Sequence, residues 1–398
     1  MTRYQSYLNS AAAILSIYNG EEPFAAFLKK YFAQYKKFGS KDRKHISQLC
    51  YCFFRTAMPR EGEKNSALEI EGEIMRGLFL CSKEENEILK ALNPEWYENA
   101  TLSIREKIAL LGSQYSISKL FPWEKELSKG IDYENFCESF LIQPDLFIRL
   151  RSGHEQKVIE KLGKTGINFK KISDTCLALD NASKIDSIIE LDYEAVIQDY
   201  NSQQTGNIIQ SEIANNNFKN RVWDCCAGSG GKSLMLHDIN PTIQLIVTDK
   251  RENILANLKK RFEKAGIRNY KMFLTDLASG KPGIRNLKSE IILADVPCTG
   301  SGTWSRTPEQ LYFFEPGKTD EYANLQKKII SSVIPHLQPE GYLIYITCSV
   351  FKKENEEAVA FIQDHYKLVL LRMELLKGYE IKADSMFIAI FKKPLQGK

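Results

Sequence analysis

Beyond about residue 202, short apolar runs alternate with longer segments whose apolar positions recur every three to four residues. The runs predict strands over 221–225, 244–249, 271–275, 291–296, 342–347, 368–371 and 386–391. The periodic segments predict helices over 231–238, 251–265, 322–336 and 354–366. Such alternation argues for an α/β domain built on a mostly parallel sheet covered on both faces. Sheets of this class hold ligands at the carboxyl ends of their strands.

The first third of the chain reads differently. Residues 4–138 carry helical periodicity punctuated by Gly20, Gly39, Pro94 and Pro122. The clearest helix starts near Ser40, read as its N-cap, and runs to Arg55, with Ile46, Leu49, Cys50, Phe53 and Phe54 on one stripe. At Gln143-Pro144 the pattern changes. Leu146, Ile148 and Leu150 alternate with Phe147, Arg149 and Arg151, which predicts a strand. A helix over 154–164 and apolar stretches at 176–179 and 188–191 follow. Three domains are therefore expected: 1–140 helical, 141–202 a small α+β linker domain, and 203–398 the α/β domain.

Composition changes this picture little. The chain has 398 residues, 43% of them hydrophobic and 26% charged, with a net charge of +4. These are ordinary values for a soluble protein. No apolar run approaches the roughly 18–20 residues that span a bilayer, and the start of the chain lacks a signal-peptide pattern. A cytoplasmic location without a membrane partner is expected. Charge distribution says more. Lys29, Lys30, Lys36, Lys37, Lys41, Arg43 and Lys44 cluster among Tyr31, Phe32, Tyr35 and Phe38, interrupted by the single acid Asp42. That mixture suits a polyanion-binding surface and equally a solvated helix face over core aromatics. Nine cysteines without a C-x-x-C pair, beside five histidines, favour neither zinc nor a disulfide framework. Free thiols in a reducing compartment fit better, and no metal is expected.

The candidate chemistry begins after the first strand of the α/β domain. Val222-Trp223-Asp224-Cys225 runs into Cys226, Ala227, Gly228, Ser229, Gly230, Gly231, Lys232 and Ser233, a glycine-rich turn that lets backbone approach a ligand. A dinucleotide fingerprint would need glycine at Ser233. A phosphate-binding P-loop would match Gly231-Lys232-Ser233, with 291–295 as a Walker B strand, but its first glycine falls on Cys226. A methyltransferase reading explains more positions. Asp249 ends the next strand, where a carboxylate can accept from ribose hydroxyls. Asp276 follows the third strand near an adenine edge, and Asp295 ends the fourth beside a sulfonium. Taken singly, each is also an ordinary turn or cap aspartate.

Two cysteines stand at strand ends, Cys298 in Asp295-Val296-Pro297-Cys298-Thr299-Gly300 and Cys348 in Thr347-Cys348-Ser349. Their Pro, Thr, Gly and Ser neighbours suit function better than core filling. Spacing alone leaves the two thiols interchangeable.

These segments, with Glu354-Asn355-Glu356, Gln198-Asp199, Ser202-Gln203 and Ser305-Arg306-Thr307-Pro308-Glu309, closely resemble the Sun (RsmB-like) family of RNA cytosine-5 methyltransferases. The resemblance covers about residues 197–359. Upstream, Lys41-Asp42-Arg43 through Tyr51 and Arg55 resembles the start of a NusB-like RNA-binding domain. Gln143-Pro144 through Arg149 resembles the opening of the family's middle domain.

The resemblance implies a Rossmann-like domain with S-adenosylmethionine bound by 226–232, Asp249, Asp276 and Asp295. It implies that Cys348 attacks C6 of a cytosine, that Asp295 meets the base at N3/N4 with help from Lys232, and that Cys298 promotes release. The target base must then leave its stack. A ribosomal RNA partner, contacts from Lys41, Arg43, Lys44 and Arg306, and a monomer are the remaining expectations. A transfer RNA enzyme, an inactive RNA-binding assembly factor and a surface role for Arg306 stay open. The family loop usually has Ala-Pro where this chain has Gly228-Ser229, so a more flexible turn is expected here.

Overall fold

A computed structural model describes residues 2–58, 66–112, 115–213, 221–279 and 287–395. The chain divides into two compact units. One holds Met1–Lys125, Asp132–Gln143 and Trp304–Glu315; the other holds Glu126–Ile131, Pro144–Thr303 and Pro316–Lys398. Residues 144–202, which the periodicity sets apart as a linker domain, thus fall with the α/β domain in one compact unit.

The first unit is helical, with its long elements at Arg3–Ile17, Phe24–Gln34, Ser40–Thr56 and Ala67–Cys81. The helix expected from Ser40 forms, but its cap is Gly39, and Ser40 is its first helical residue. The Asp42 carboxylate accepts the Gly39 N–H at 2.9 Å, placing an acid on the positive end of the helix. The predicted stripe Ile46, Leu49, Cys50, Phe53 and Phe54 is buried. Aromatic edges fill the centre, with Phe24 against Phe54 at 4.9 Å and Tyr18 against Phe313 at 5.4 Å between ring centroids. Phe313 belongs to Trp304–Glu315, a segment that sequence order assigns to the α/β domain. It joins the helical core because Trp304 and Leu311 need burial and because buried Arg55 donates to the Ser305 carbonyl at 2.8 Å.

The second unit contains two sheets. The smaller is antiparallel, in the order β2-β3-β1-β4, from β1 (Leu146–Leu150), β2 (Phe169–Ser173), β3 (Cys176–Leu179) and β4 (Ala195–Ile197). Helix Glu155–Lys164 covers it through Val158 and Leu162. The apolar stretch at 188–191 forms turns, with Ile189 buried beneath the sheet. Arg149 on β1 and Arg151 just beyond its end both pair with Asp238 at 2.7 Å. Asp238 lies on helix Gly231–Ile239, so these ion pairs join the small sheet to the element behind the glycine loop.

The larger sheet has seven strands: β5 (Arg221–Asp224), β6 (Gln244–Asp249), β7 (Tyr270–Leu274), β8 (Ser289–Asp295), β9 (Leu337–Thr347), β10 (Val369–Leu376) and β11 (Met386–Lys392). Their order is β10-β11-β9-β8-β5-β6-β7. Strands β5 to β9 run parallel, while β11 and β10 are antiparallel to their neighbours. Separate cores on the two faces explain why β8 and β9 read as continuous apolar runs. The chain order reverses between β5 and β8, the place where such sheets open a crevice.

Candidate functional site

At the carboxyl edge of this sheet lies a cavity of about 990 Å³, lined by Cys226, Ala227, Gly228, Ser229, Gly231, Lys232, Asp249, Asp276, Asp295, Cys298 and Cys348, among others. Single-ligand pockets run to roughly 1,000 Å³. The space therefore suits a nucleoside-sized cofactor together with a base.

The glycine loop turns from β5 into helix Gly231–Ile239, whose N-terminal N–H groups face the ligand side. Its shape demands glycine at Gly230, which has φ +83°. A Cβ there would stand 2.9 Å from Leu258 and Phe262. Asp249, 7% exposed at the end of β6, accepts the Gly228 N–H at 3.0 Å. The same carboxylate accepts the Arg251 N–H at 2.9 Å and the Arg251 guanidinium at 3.0 and 3.1 Å. Burial would raise the pKa of Asp249; bonds from Arg251 and Gly228 outweigh it and keep the carboxylate below its usual range. The Arg251 side chain on Asp249 is 56% exposed. Asp276 is exposed at the cavity wall and accepts the Ala278 N–H at 3.0 Å, so it is a turn aspartate as well as a lining residue.

Strands β8 and β9 are neighbours, and they deliver the two cysteines to one point. Cys298 Sγ and Cys348 Sγ lie 3.3 Å apart. The contact with Cys348, together with burial, pushes the Cys298 thiol well above its ordinary pKa, and either sulfur can donate in this contact. Beside them Lys232 Nζ donates to Asp295 Oδ2 at 2.7 Å. Burial would lower the Lys232 pKa, but Asp295 and the nearby Cys348 and Asp224 outweigh it and hold the ammonium charged.

This arrangement tests the phosphate reading. A P-loop lysine must be free for phosphate oxygens, whereas Lys232 is paired to a carboxylate. Asp249, Asp276 and Asp295 stand at three strand ends along the wall, where carboxylates suit ribose hydroxyls and a sulfonium. The residues present fit S-adenosylmethionine.

A buried carboxylate from the Glu354-Asn355-Glu356 segment proves central. Glu354, wholly buried, accepts from the Thr299 N–H at 2.9 Å, from Thr299 Oγ1 at 2.6 Å, from Ser349 Oγ, and from Gln326 Nε2 at 2.9 Å. Thr299 follows Cys298 and Ser349 follows Cys348, so one carboxylate ties both cysteine loops together. Burial pushes Glu354 above its usual pKa, against the lowering effect of these bonds. Gln326 also donates to the Pro297 carbonyl at 3.0 Å. Asn355 accepts from Thr347 Oγ1 at 2.6 Å and donates to the Ser349 carbonyl at 2.9 Å. Gly302 closes the lattice; a Cβ there would lie 2.2 Å from the Ser385 carbonyl. The Glu354-Asn355 pair was visible as a motif, whereas a mid-helix glutamine such as Gln326 carries no sequence signal.

Lys41, Arg43, Lys44 and Arg306 belong to the helical unit. Lys41 and Lys44 are exposed. Arg43 is partly engaged in the fold, donating to the Phe38 carbonyl at 2.9 Å with its guanidinium 5.8 Å over the Phe32 ring. Arg306 is half-buried. Among the described residues, no group of three or more His, Cys, Asp or Glu side chains could hold a metal ion, and no helix is long and apolar enough to cross a membrane.

Residues 212–392 match the family model described as 16S rRNA methyltransferase RsmB/F. A probable ribosomal RNA small subunit methyltransferase B of Synechocystis is 26% identical over 305 residues, covering 73% of this chain and 66% of that protein. The chain spans about half to two thirds of the length of such curated relatives. Among solved structures, PH0851 matches with a TM-score of 0.70 at 17% identity, over 99% of each chain. NSun6 from Pyrococcus horikoshii, solved with SFG, matches with a TM-score of 0.57 at 16% identity, over 70% of this chain and 96% of that one. These two structural likenesses speak to the fold.

Proposed function

Taking as premise a Sun/RsmB-like chain with an RsmB/F-type methyltransferase domain over 212–392, we propose that this protein uses S-adenosylmethionine to methylate C5 of a cytosine in RNA through a covalent Cys348 adduct. The observation that carries the reading is the pair of thiols 3.3 Å apart beside the Lys232–Asp295 ion pair, in a cavity roomy enough for cofactor and base. The SFG bound by NSun6 is an analogue of S-adenosylmethionine and supports the choice of cofactor. Ribosomal RNA is the preferred substrate because the matched relatives are named for it.

C5 of cytosine is a weak nucleophile, and thiolate addition at C6 makes it enamine-like. Cys348 is the attacking group and forms the C6–S bond. A hydrogen bond from the Cys298 thiol, 3.3 Å away, would favour the thiolate of Cys348 before attack. Asp295 accepts from the N4 amino group, while charged Lys232 stabilises the negative charge that builds along the base edge. Bound S-adenosylmethionine supplies the electrophilic methyl. Once C5 carries the methyl, Cys298, its thiol proton passed to solvent, takes the C5 proton; the C5–H electron pair re-forms the C5=C6 bond as the C6–S bond breaks and frees Cys348 as a thiolate. Glu354 and Gln326 hold both thiol-bearing loops in register throughout.

The test is methylation of purified ribosomal and transfer RNA with labelled cofactor, followed by mapping of 5-methylcytosine. Label confined to a ribosomal cytosine is expected. Label at another atom, or none in either RNA, would overturn the reading, and label in transfer RNA alone would replace the substrate.

A further inference from the structure

The glycine loop presents Ser229 at its exposed tip, where the resembling family carries the stiffer Ala-Pro. Without proline, φ at this position is not fixed by a ring. The fold supplies another restraint. Helix Glu252–Ala265 lies against the loop, with Leu258 and Phe262 beneath Gly230. On the same helix face, Arg261 Nη1 donates to the Ser229 carbonyl at 3.0 Å and to Ser229 Oγ at 3.1 Å.

The other side of this guanidinium is also anchored. Arg261 Nε donates to Asp192 Oδ1 at 2.9 Å, and Nη2 lies 2.8 Å from the same oxygen. Asp192 is not a loose partner. It holds φ at +70°, a conformation that aspartate tolerates better than most residues. Its N–H donates to the Ala195 carbonyl at 2.8 Å, and its carbonyl accepts from Arg151 at 2.9 Å. Arg151 in turn is paired to Asp238. The loop tip is thereby tied, through one arginine, to the small sheet.

We infer that Arg261 is a positioning residue that pre-forms the cofactor loop by clamping Ser229 against Asp192, in place of a proline in the loop itself. The inference rests on the proposed cofactor site. Charge-assisted hydrogen bonds to a carboxylate and a carbonyl hold a planar guanidinium in one orientation. A loop held in its binding geometry before the ligand arrives loses less entropy when it binds.

The experiment is a cycle between the clamp and the loop. Arg261→Gln should weaken S-adenosylhomocysteine binding by about tenfold, the loss of a charge-assisted contact. Methyl transfer at saturating cofactor should change less than about twofold, because Arg261 touches no reacting atom. Asp192→Asn, which keeps the arginine but removes its anchor charge, should shift binding in the same direction. In the S229P background, which keeps glycine at the positive-φ position Gly228, the Arg261→Gln effect should shrink to less than about twofold, since proline then fixes the turn. Hydrogen exchange in the ligand-free protein should speed up across 228–232 for Arg261→Gln in the native loop. An equal loss of binding in both loop backgrounds, or unchanged exchange across the loop, would overturn the inference. Failure of the unsubstituted protein to bind S-adenosylhomocysteine would instead remove the cofactor reading, and the exchange measurement would still judge the clamp.

Discussion

The loops that carry the cysteines and the loop that faces the cofactor are held in opposite ways. The cysteine loops after β8 and β9 are fastened from beneath by Glu354 and Gln326, 0% and 1% exposed. The glycine loop after β5 is fastened from the side by Arg261 directly and by Arg251 through Asp249, both partly in water. The side chain of Arg261 is 21% exposed and that of Arg251 is 56% exposed. A buried hydrogen bond has no water to replace it when it is lost, whereas an exposed one does. The thiols are thus fixed, as the proposed covalent attack requires. The glycine loop is restrained by more exposed partners, which suits its proposed role in binding and releasing a cofactor.

The largest expected effect falls on the fixed side. Cys348→Ala should reduce RNA methylation to background while S-adenosylhomocysteine titration stays near that of the unsubstituted protein. Normal turnover in that variant would remove the nucleophile. Cys298→Ala should let a denaturation-resistant protein–RNA adduct accumulate on a gel, and its absence under turnover would count against the release role.

Next comes the carboxylate under both loops. Glu354→Ala leaves the Thr299 N–H, Ser349 and Gln326 facing an apolar gap and should lower unfolding free energy by about 3 kcal/mol. Because burial already pushes Glu354 toward its neutral form, Glu354→Gln should lose less. Urea unfolding checks both, and an alanine variant as stable as the original would erase the contrast between the two regions.

A third expectation concerns pH. Asp224, which ends β5 before the glycine loop, is pushed up to about 7 by burial, with Ser233 opposing and Asp295 adding to the shift. It is harder to ionise folded than unfolded. Its favourable contribution is therefore full below its ordinary value of 3.8 and is lost as pH rises through about 7. Across that window it can contribute a slope approaching about 1.4 kcal/mol per pH unit. Asp224→Asn should flatten the fall in stability between pH 5 and pH 7, and an unchanged profile would mean that another group sets it.

The smallest effect belongs to the exposed arginine. Arg251→Ala should alter cofactor affinity by less than about fivefold, the range of solvent-exposed ion pairs. A loss of tenfold or more in calorimetry would show that Arg251, like Glu354, carries its loop.

Much of this layout was legible before any coordinates. Strand β6 falls on its predicted residues, β8 and β11 within two, and the thiols appear at the strand ends where their Pro, Thr and Ser neighbours placed them. Local periodicity and turn residues suffice for that, because they act over a few positions. The misses are equally specific. Ser40 yielded the cap to Gly39 because Asp42 reaches back to the Gly39 N–H. The glycine loop, expected to be looser without its proline, is held by a side chain 32 residues further along the chain.

The sequence by itself determined the order of strands and helices, the α/β class and the chemistry standing at each strand end. Only the tertiary structure decided that Trp304–Glu315 joins the helical unit, that Glu354 and Gln326 hold two cysteine loops, and that Arg261 joins Ser229 to Asp192. The reason is physical. Periodicity reports which face of an element is apolar, while a polar partner is chosen by whatever unpaired group the folded chain brings within about 3 Å.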